Sequence, residues 1–301
     1  MTGSFTGTPT LVRLALRRDR LRLALWTLGI VGTCSASAAA VQGTYSTPEK
    51  IATYAAAGDS AASRITSGRQ AALDTVDGIT ANEITMFATL GVTLMVVFTV
   101  VRHTRAEEES GAAELVRAGV VGRHAAQLAA LVVALAAAAL TSLLLTLALI
   151  GFGADAVGSV AYGLEMAMLG LLFAGLAAAA AQVTAAARGA LAIAGGILGA
   201  SYVIRGVGAI AESWLYWVSP FGWAQGVDAY ADERWWLLGV LLVAAAGCFW
   251  LAVWLTTRRD AGAGLLAARP GSPRASAHLG TSWGLALRMQ RGLVIGWLVG
   301  L

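Results

Sequence analysis

Six apolar runs constrain this chain more than anything else in it. They are Leu23 to Val41, Ile84 to Val101, Ala125 to Phe152, Val160 to Ala187, Ala190 to Val207 and Leu237 to Thr256. Each has about 18 residues or more, enough to cross a hydrocarbon core of about 30 Å as a helix. Backbone in hydrocarbon must satisfy its own hydrogen bonds, so runs of this length read as helices. The composition agrees: 57% hydrophobic, 13% charged and a mean hydropathy of +0.70 are not those of a soluble domain this long. The expected fold class is all-α, a polytopic membrane protein with six full transmembrane helices.

The chain also begins to repeat itself. Residues 14 to 29 read LALRRDRLRLALWTLG, and residues 285 to 300 read LALRMQRGLVIGWLVG. At an offset of 271, Leu14, Ala15, Leu16, Arg17, Arg20, Trp26 and Gly29 meet identical residues at Leu285, Ala286, Leu287, Arg288, Arg291, Trp297 and Gly300. Each copy is a basic amphipathic stretch running into an apolar helix. Such a repeat marks two homologous halves, as is common in transporters. The second apolar segment, Gly292 to Leu301, gives about 15 Å of helix, half of a bilayer core. The expectation is the first half of a duplicated protein plus an incomplete seventh span. A signal peptide would also show a basic start, an apolar stretch and small residues such as Ser35 to Ala38. The second copy, deep in the chain, argues against it.

Charge sets an expected topology. With the N-terminus in the cytoplasm, inner segments carry sixteen basic residues and outer segments five, namely Lys50, Arg64, Arg69, Arg205 and Arg234. That asymmetry is a positive-inside signal and not a nucleic-acid footprint. The expected organisation is a basic amphipathic helix over 1–22, a six-span domain over 23–257, an inner linker over 258–284 and the start of the second repeat over 285–301. Within the six-span domain, 102–124 is an inner loop, and 42–83 and 208–236 are outer segments. Cys34 and Cys248 both lie in apolar runs and form no framework.

Three segments between the spans carry local signals. At the start, Thr8-Pro9 reads as an N-cap followed by proline at the first helical position. Arg13, Arg17 and Arg20 then share one face, so the helix is expected to lie in the inner interface before turning into the first span; the alternative is a plain basic flank. The loop RHTRAEEESGAAELVRAGVVGRH, Arg102 to His124, places Thr104 and Glu107 at capping-box spacing and Gly119 where a helix would end. It is either a surface for a soluble partner or a solvated charged loop. The outer stretch from Gly208 to Trp236 crowds Trp214, Tyr216, Trp217, Phe221, Trp223, Trp235 and Trp236 around the breakers Ser219, Pro220 and Gly222. It reads as a re-entrant or interfacial hairpin, or as an aromatic belt alone. In 42–83, Ile51, Tyr54 and Ala55, then Leu73, Val76 and Asp77, hint at short amphipathic helices in an external cap.

These features together resemble the membrane subunits of type-2 ATP-binding-cassette exporters, in particular the actinobacterial polyketide-antibiotic exporter permeases of the tetronasin kind. The resemblance is carried by EEESGAAELVRAGVVGR (Glu107 to Arg123), SPFGWAQ (Ser219 to Gln225) with DERWW (Asp232 to Trp236), and the basic-apolar start. That family usually has proline where this chain has Val120. The resemblance covers the whole chain and implies a twelve-span permease of which this is the N-terminal half. It also implies that the loop after the second span couples to an ATPase through Glu107, Glu108, Glu109, Gly111, Glu114, Leu115 and Arg117. The basic start would be the connecting helix. The implied partners are a separate ATPase, in two copies, holding ATP and magnesium, together with the second permease half, membrane lipid and a hydrophobic substrate. The location implied is the cell membrane.

Chemistry on the chain itself is sparse. A phosphate-binding loop needs glycines followed by Lys and Ser or Thr, and the one lysine, Lys50, precedes Ile51. His103, His124 and His278 lack metal-ligand spacing. Neither a cofactor nor a catalytic residue is expected. Two intramembrane charges remain. Glu165 and Arg205 lie at similar depths below the outer ends of consecutive spans, so they are a candidate polar pair, either a gate or a structural contact. A non-transport scaffold that recruits a soluble partner, or a lipid-modifying enzyme using Glu165 or His124, are the alternative functions.

Overall fold

Each apolar run becomes a helix whose ends lie within a few residues of the hydrophobic boundary, except where polar flanks extend it. The computed structural model describes residues 4–58, 60–69, 71–258, 263–266 and 281–300, without the side chains at 115–117, 293 and 295–300. In order these form α1 (Thr8–Thr44), α2 (Pro48–Gly58), α3 (Ala61–Ser67), α4 (Val76–Val101), a π-helical turn (Arg102–Ala106), α5 (Glu107–Glu109) and α6 (Ala112–Arg117). Then follow α7 (Ala125–Gly151), α8 (Ala156–Val183), α9 (Ala187–Ile210), a 3-10 turn (Trp214–Val218), α10 (Pro220–Gln225), α11 (Trp236–Thr257) and α12 (Ser282–Gly300). Among the described residues there are no strands, and six helices are long and apolar enough to cross a membrane. The protein is a multi-pass, all-α membrane protein. α12 belongs to a separate unit, Ala268–Leu301, and is a single helix. Most of the 258–284 linker lies outside the described residues.

α1 corrects the sequence reading. It does not turn between its basic start and the first span: its 37 residues form one helix, about 55 Å long. Its buried positions (Thr8, Ala15, Asp19, Thr27, Ile30, Cys34, Ala38, Val41) recur every three, four, seven or eight residues, so one stripe serves the whole length. That stripe packs on α4 and α7. Thr8 is not the cap either. Gly7, at φ 86°, precedes the helix, and the Thr8 hydroxyl donates to Phe5 O at 2.8 Å.

α8 is the central helix, touched by α4, α7, α9, α10 and α11. Its glycines let neighbours approach closely: a Cβ at Gly170 would meet Val92 and Ala138, and one at Gly175 would meet Cys248. The alanines from 177 to 181 are all buried. Gly195 and Gly199 on α9 behave differently, with nothing within 4 Å of where a Cβ would stand. α11 buries only a narrow stripe, Leu237, Leu241, Ala245 and Ala252, against α8.

The connections gather at two ends of the bundle. At the basic end, Gly122 N and His124 N donate to Thr6 O and Ser4 O, and the Arg123 guanidinium donates to Thr256 O. At the opposite, aromatic end, Asp155 N donates to Asp77 Oδ2 at 2.9 Å, and Ser159 meets the Tyr230 hydroxyl at 3.0 Å. α2 and α3 account for part of the helical structure expected in 42–83. Val76 and Asp77 instead open α4, capped by Thr75, which accepts from Gly78 N.

Candidate functional site

At the basic end the loop after α4 is tied into the bundle by its own charges. α4 does not end at a capping box. Thr104 sits inside the π-helical turn and donates to Val100 O at 2.6 Å. The turn brings Arg102 and His103 to Asp19 on α1 and Arg105 to Glu108 and Thr184; such turns recur at functional positions. Arg102 Nε donates to both oxygens of Asp19 on α1 at 3.1 Å. His103 Nε2 lies 2.8 Å from Asp19 Oδ2, off the line of a good hydrogen bond, and its Nδ1 lies 3.3 Å from Glu107 Oε1. Glu107 also accepts from Arg18 at 3.1 Å. Asp19 is only 2% exposed and His103 4%, so the network joining α1 to the loop has a buried centre, with Arg18 and Arg102 at its solvent edge.

Arg105 makes the second tie. Its side chain is fully buried, pairs with Glu108 and donates to Thr184 O and Ala263 O. Leu265 N and Leu266 N donate to Gln182 O and Val183 O, so residues 263–266 strap the α8–α9 junction. Glu109 makes the third. Its carboxylate accepts from Ala187 N at 2.8 Å, where Ala186 provides no side-chain cap for α9. An acidic group is favourable at a helix N-terminus.

The structure thus separates the sequence-predicted coupling residues. Glu107 and Glu108 are half-buried against α1 and Arg105, and Glu109, itself exposed, is tied to the start of α9. Gly111, at φ 76° with open space around it, starts α6, and Glu114 is exposed on that helix. Leu115 and Arg117 belong to the backbone of α6, and their side chains lie outside the described residues.

At the aromatic end the sequence-predicted hairpin is the 3-10 turn followed by α10. Ser219 caps α10, accepting from Phe221 N at 3.2 Å and donating to Ser201 O at 2.7 Å. Pro220 opens that helix. Phe221 is buried against Phe173 and Tyr202, and Trp223 Nε1 donates to Trp217 O at 2.6 Å. A Cβ on Gly208 of α9 would collide with the backbone at Tyr216, so that glycine admits the turn.

Glu165 and Arg205 are both buried, at 2% and 0% exposure, yet among the described residues they form no ion pair with each other. Arg205 instead donates to Thr66 O at 3.0 Å and approaches Ile65 O and Gln225 Oε1 at 3.4 Å, with its guanidinium over the Tyr202 ring. It therefore caps the C-terminus of α3, a position that favours a cation. Gly68, at φ 85°, ends α3 there, and a Cβ would overlap Gln225 and Arg205. Glu165 faces a cavity of about 40 Å³ that it shares with Tyr162, Gln225 and Asp228. Asp228, between α10 and α11, has its carboxyl held above the usual range by burial, against the pull of Arg234 at 3.0 Å.

Residues 9–255 match the family described as multidrug efflux system permease Rv1217c, C-terminal domain. The chain belongs to this multidrug efflux permease family. It is also 41% identical over 304 residues to the multidrug efflux system permease protein Rv1217c of Mycobacterium tuberculosis, an alignment covering 99% of this chain and 54% of that protein. The chain thus spans about half the length of the relative it matches. Within this efflux permease domain, the residues that sequence reading missed are Asp19, His103 and Arg105. A signal existed for the first. Asp19 is a lone acid on the buried Ala15–Ile30 stripe of a basic helix, and such an acid needs a cation within reach, here Arg102.

Proposed function

We propose that this chain is the first half of a permease that exports hydrophobic compounds, polyketide-type antibiotics or other drugs, across the cell membrane. The energy comes from a separate ATPase pair that holds the nucleotide and magnesium. Family membership supports the permease role, and the repeat at 285–300 with the relative's greater length supports the half. A match to a domain described as C-terminal is compatible with a first half when the two halves are duplicates. The basic end is cytoplasmic, N-terminus included, as the sixteen-to-five charge asymmetry favours.

The observation that carries the coupling reading is the three-way tie of residues 102–109. Closure of the ATPases pushes on α6, where Glu114 is exposed to a partner. Gly111 is the pivot between α6 and α5. Motion passes to α1 through Glu107, His103 and Asp19, to α9 through Glu109, and to the α8–α9 junction through Arg105. The spans then alternate between inward-open and outward-open arrangements. The glutamates act as struts in this reading, and Glu114 acts as a contact.

The test is Glu114→Lys in the full permease reconstituted with its ATPase. Drug-stimulated ATPase activity and export are expected to fall together, while membrane insertion and the ATPase's basal turnover stay at wild-type levels. Wild-type coupling in the variant would remove α6 from the contact.

A further inference from the structure

A groove of about 780 Å³ runs along α1 and α4 at the basic end. Its polar end is formed by Arg18, Asp19, Arg22 and Arg102. Its wall is apolar, built from Leu25, Trp26, Ile30 and the exposed Phe87. Gly29 leaves the floor open, with nothing within 4 Å of its Cβ position. We propose that this groove binds one anionic phospholipid, its phosphate on Arg22 and one acyl chain between Trp26 and Phe87.

Charge identifies the head. Arg18 and Arg102 are already neutralised by Glu107 and Asp19. Arg22 is half-buried, and among the described residues it has neither a hydrogen bond nor an ion pair. The polar end therefore keeps one unbalanced cation, matching the single charge of a phosphodiester. A guanidinium binds phosphate through paired, charge-assisted hydrogen bonds. Basic pockets between spans are where anionic headgroups seat.

Length identifies the tail. From Arg18 to Thr33 the groove follows α1 for about 22 Å. One leaflet, headgroup included, is about 20–22 Å thick. Arg22 stands at the start of the first apolar run, where a headgroup meets hydrocarbon, and Leu25 and Phe87 are exposed along the wall. A soluble anion would leave this wall empty, and an uncharged hydrophobic compound would leave Arg22 unpaired.

The test uses the 301-residue chain, delipidated in detergent and then titrated with phosphatidylglycerol or phosphatidylcholine of matched acyl chains. Native mass spectrometry reads retained lipid. One phosphatidylglycerol is expected to be retained in preference to phosphatidylcholine. Arg22→Gln is expected to weaken that retention roughly tenfold, the scale of one charge-assisted hydrogen bond. Arg22→Lys keeps the charge and much of the binding, which separates recognition from misfolding. Arg20→Gln removes the same charge on another side of α1, where Arg20 lines a different groove, and leaves retention unchanged. Equal retention of both lipids, or an Arg22→Gln variant that binds as wild type, overturns the proposal. So does a chain that binds no lipid here but forms a dimer cross-linked through a cysteine placed at Leu25, which would make the groove a protein interface. Inorganic phosphate added alone is expected to leave retention unchanged; displacement of the lipid by it would assign the site to a free anion.

Discussion

Asp19→Asn removes one charge from the basic-end network and keeps its shape. In the native protein Asp19, 2% exposed, takes both bonds from Arg102 and lies against His103. Removing one partner from a fully buried pair costs about 3–5 kcal/mol. Arg102 is 38% exposed, so solvent screens its share toward about 0.2–1 kcal/mol. The asparagine carbonyl still accepts one bond, recovering about 1 kcal/mol. The expected net loss is about 2–3 kcal/mol, concentrated where α1 meets the π-helical turn. Hydrogen exchange followed by mass spectrometry reads this locally. Amides of 102–110 are expected to exchange about 30- to 160-fold faster, at about 1.4 kcal/mol per decade. Amides in the middle of α8, which do not touch the network, stay within about threefold. A change under about threefold at 102–110 would mean that the buried contacts are worth no more than a surface pair. An equal rise in α8 would mean that the loop is not a separate energetic unit. Either result refutes the reasoning.

Arg205→Gln takes the cation from the C-terminus of α3 and is expected to release that helix. Protease cleavage within 61–67 should rise at least tenfold, and unchanged protection would show that Arg205 does not hold the cap. Gly68→Ala is expected to cost more than Gly111→Ala, by thermal unfolding. Both glycines have positive φ, which costs about 1–2 kcal/mol for a residue with a Cβ, but only at Gly68 does that Cβ also overlap buried groups; equal effects would contradict the packing around Arg205. Asp228→Asn tests the half-buried carboxyl between α10 and α11. Because burial raises its folded pKa, the wild-type group contributes most below its unfolded pKa of about 3.9 and loses that contribution as pH rises through the folded value. The wild type should therefore lose thermal stability relative to Asp228→Asn as pH is raised from 4 to 7, and a difference that is flat with pH would refute the assignment.

The spans were legible because hydrocarbon selects every residue in the same direction. Ala125 to Phe152 differs from α7 by one residue, and Leu237 to Thr256 lies one residue inside each end of α11. The pairing of polar groups was not legible, because partners come from distant parts of the chain. Thr104 and Glu107 have the local spacing of a capping box. Glu107 is claimed instead by Arg18, 89 positions away, and Thr104 remains inside a continuing helix. Depth arguments put Glu165 and Arg205 near one another, and Gln225 lies beside both, yet the two do not pair. Depth carries no information about which way a side chain points around its helix. Arg205 is turned toward α3, whose terminal carbonyls need a donor and whose position is set by the aromatic-end segments.

The same limit bears on how a charged loop is read. From sequence, the acidic run at 107–109 is the obvious face for a soluble partner, because exposed charge is cheap and buried charge is rare. Here each of those carboxylates has an internal counterpart: Arg18 and His103, Arg105, and the amide that opens α9. Their spacing explains why one short segment reaches three elements. Consecutive residues on a helical turn point about 100° apart, so three adjacent acids project in three directions. A uniform acidic face for a partner would need spacings of three or four, which place side chains on one side. The acidic triplet therefore has the geometry of a joint between helices, and in the proposed mechanism the partner-facing role falls to α6, whose exposed acid Glu114 lies beyond Gly111.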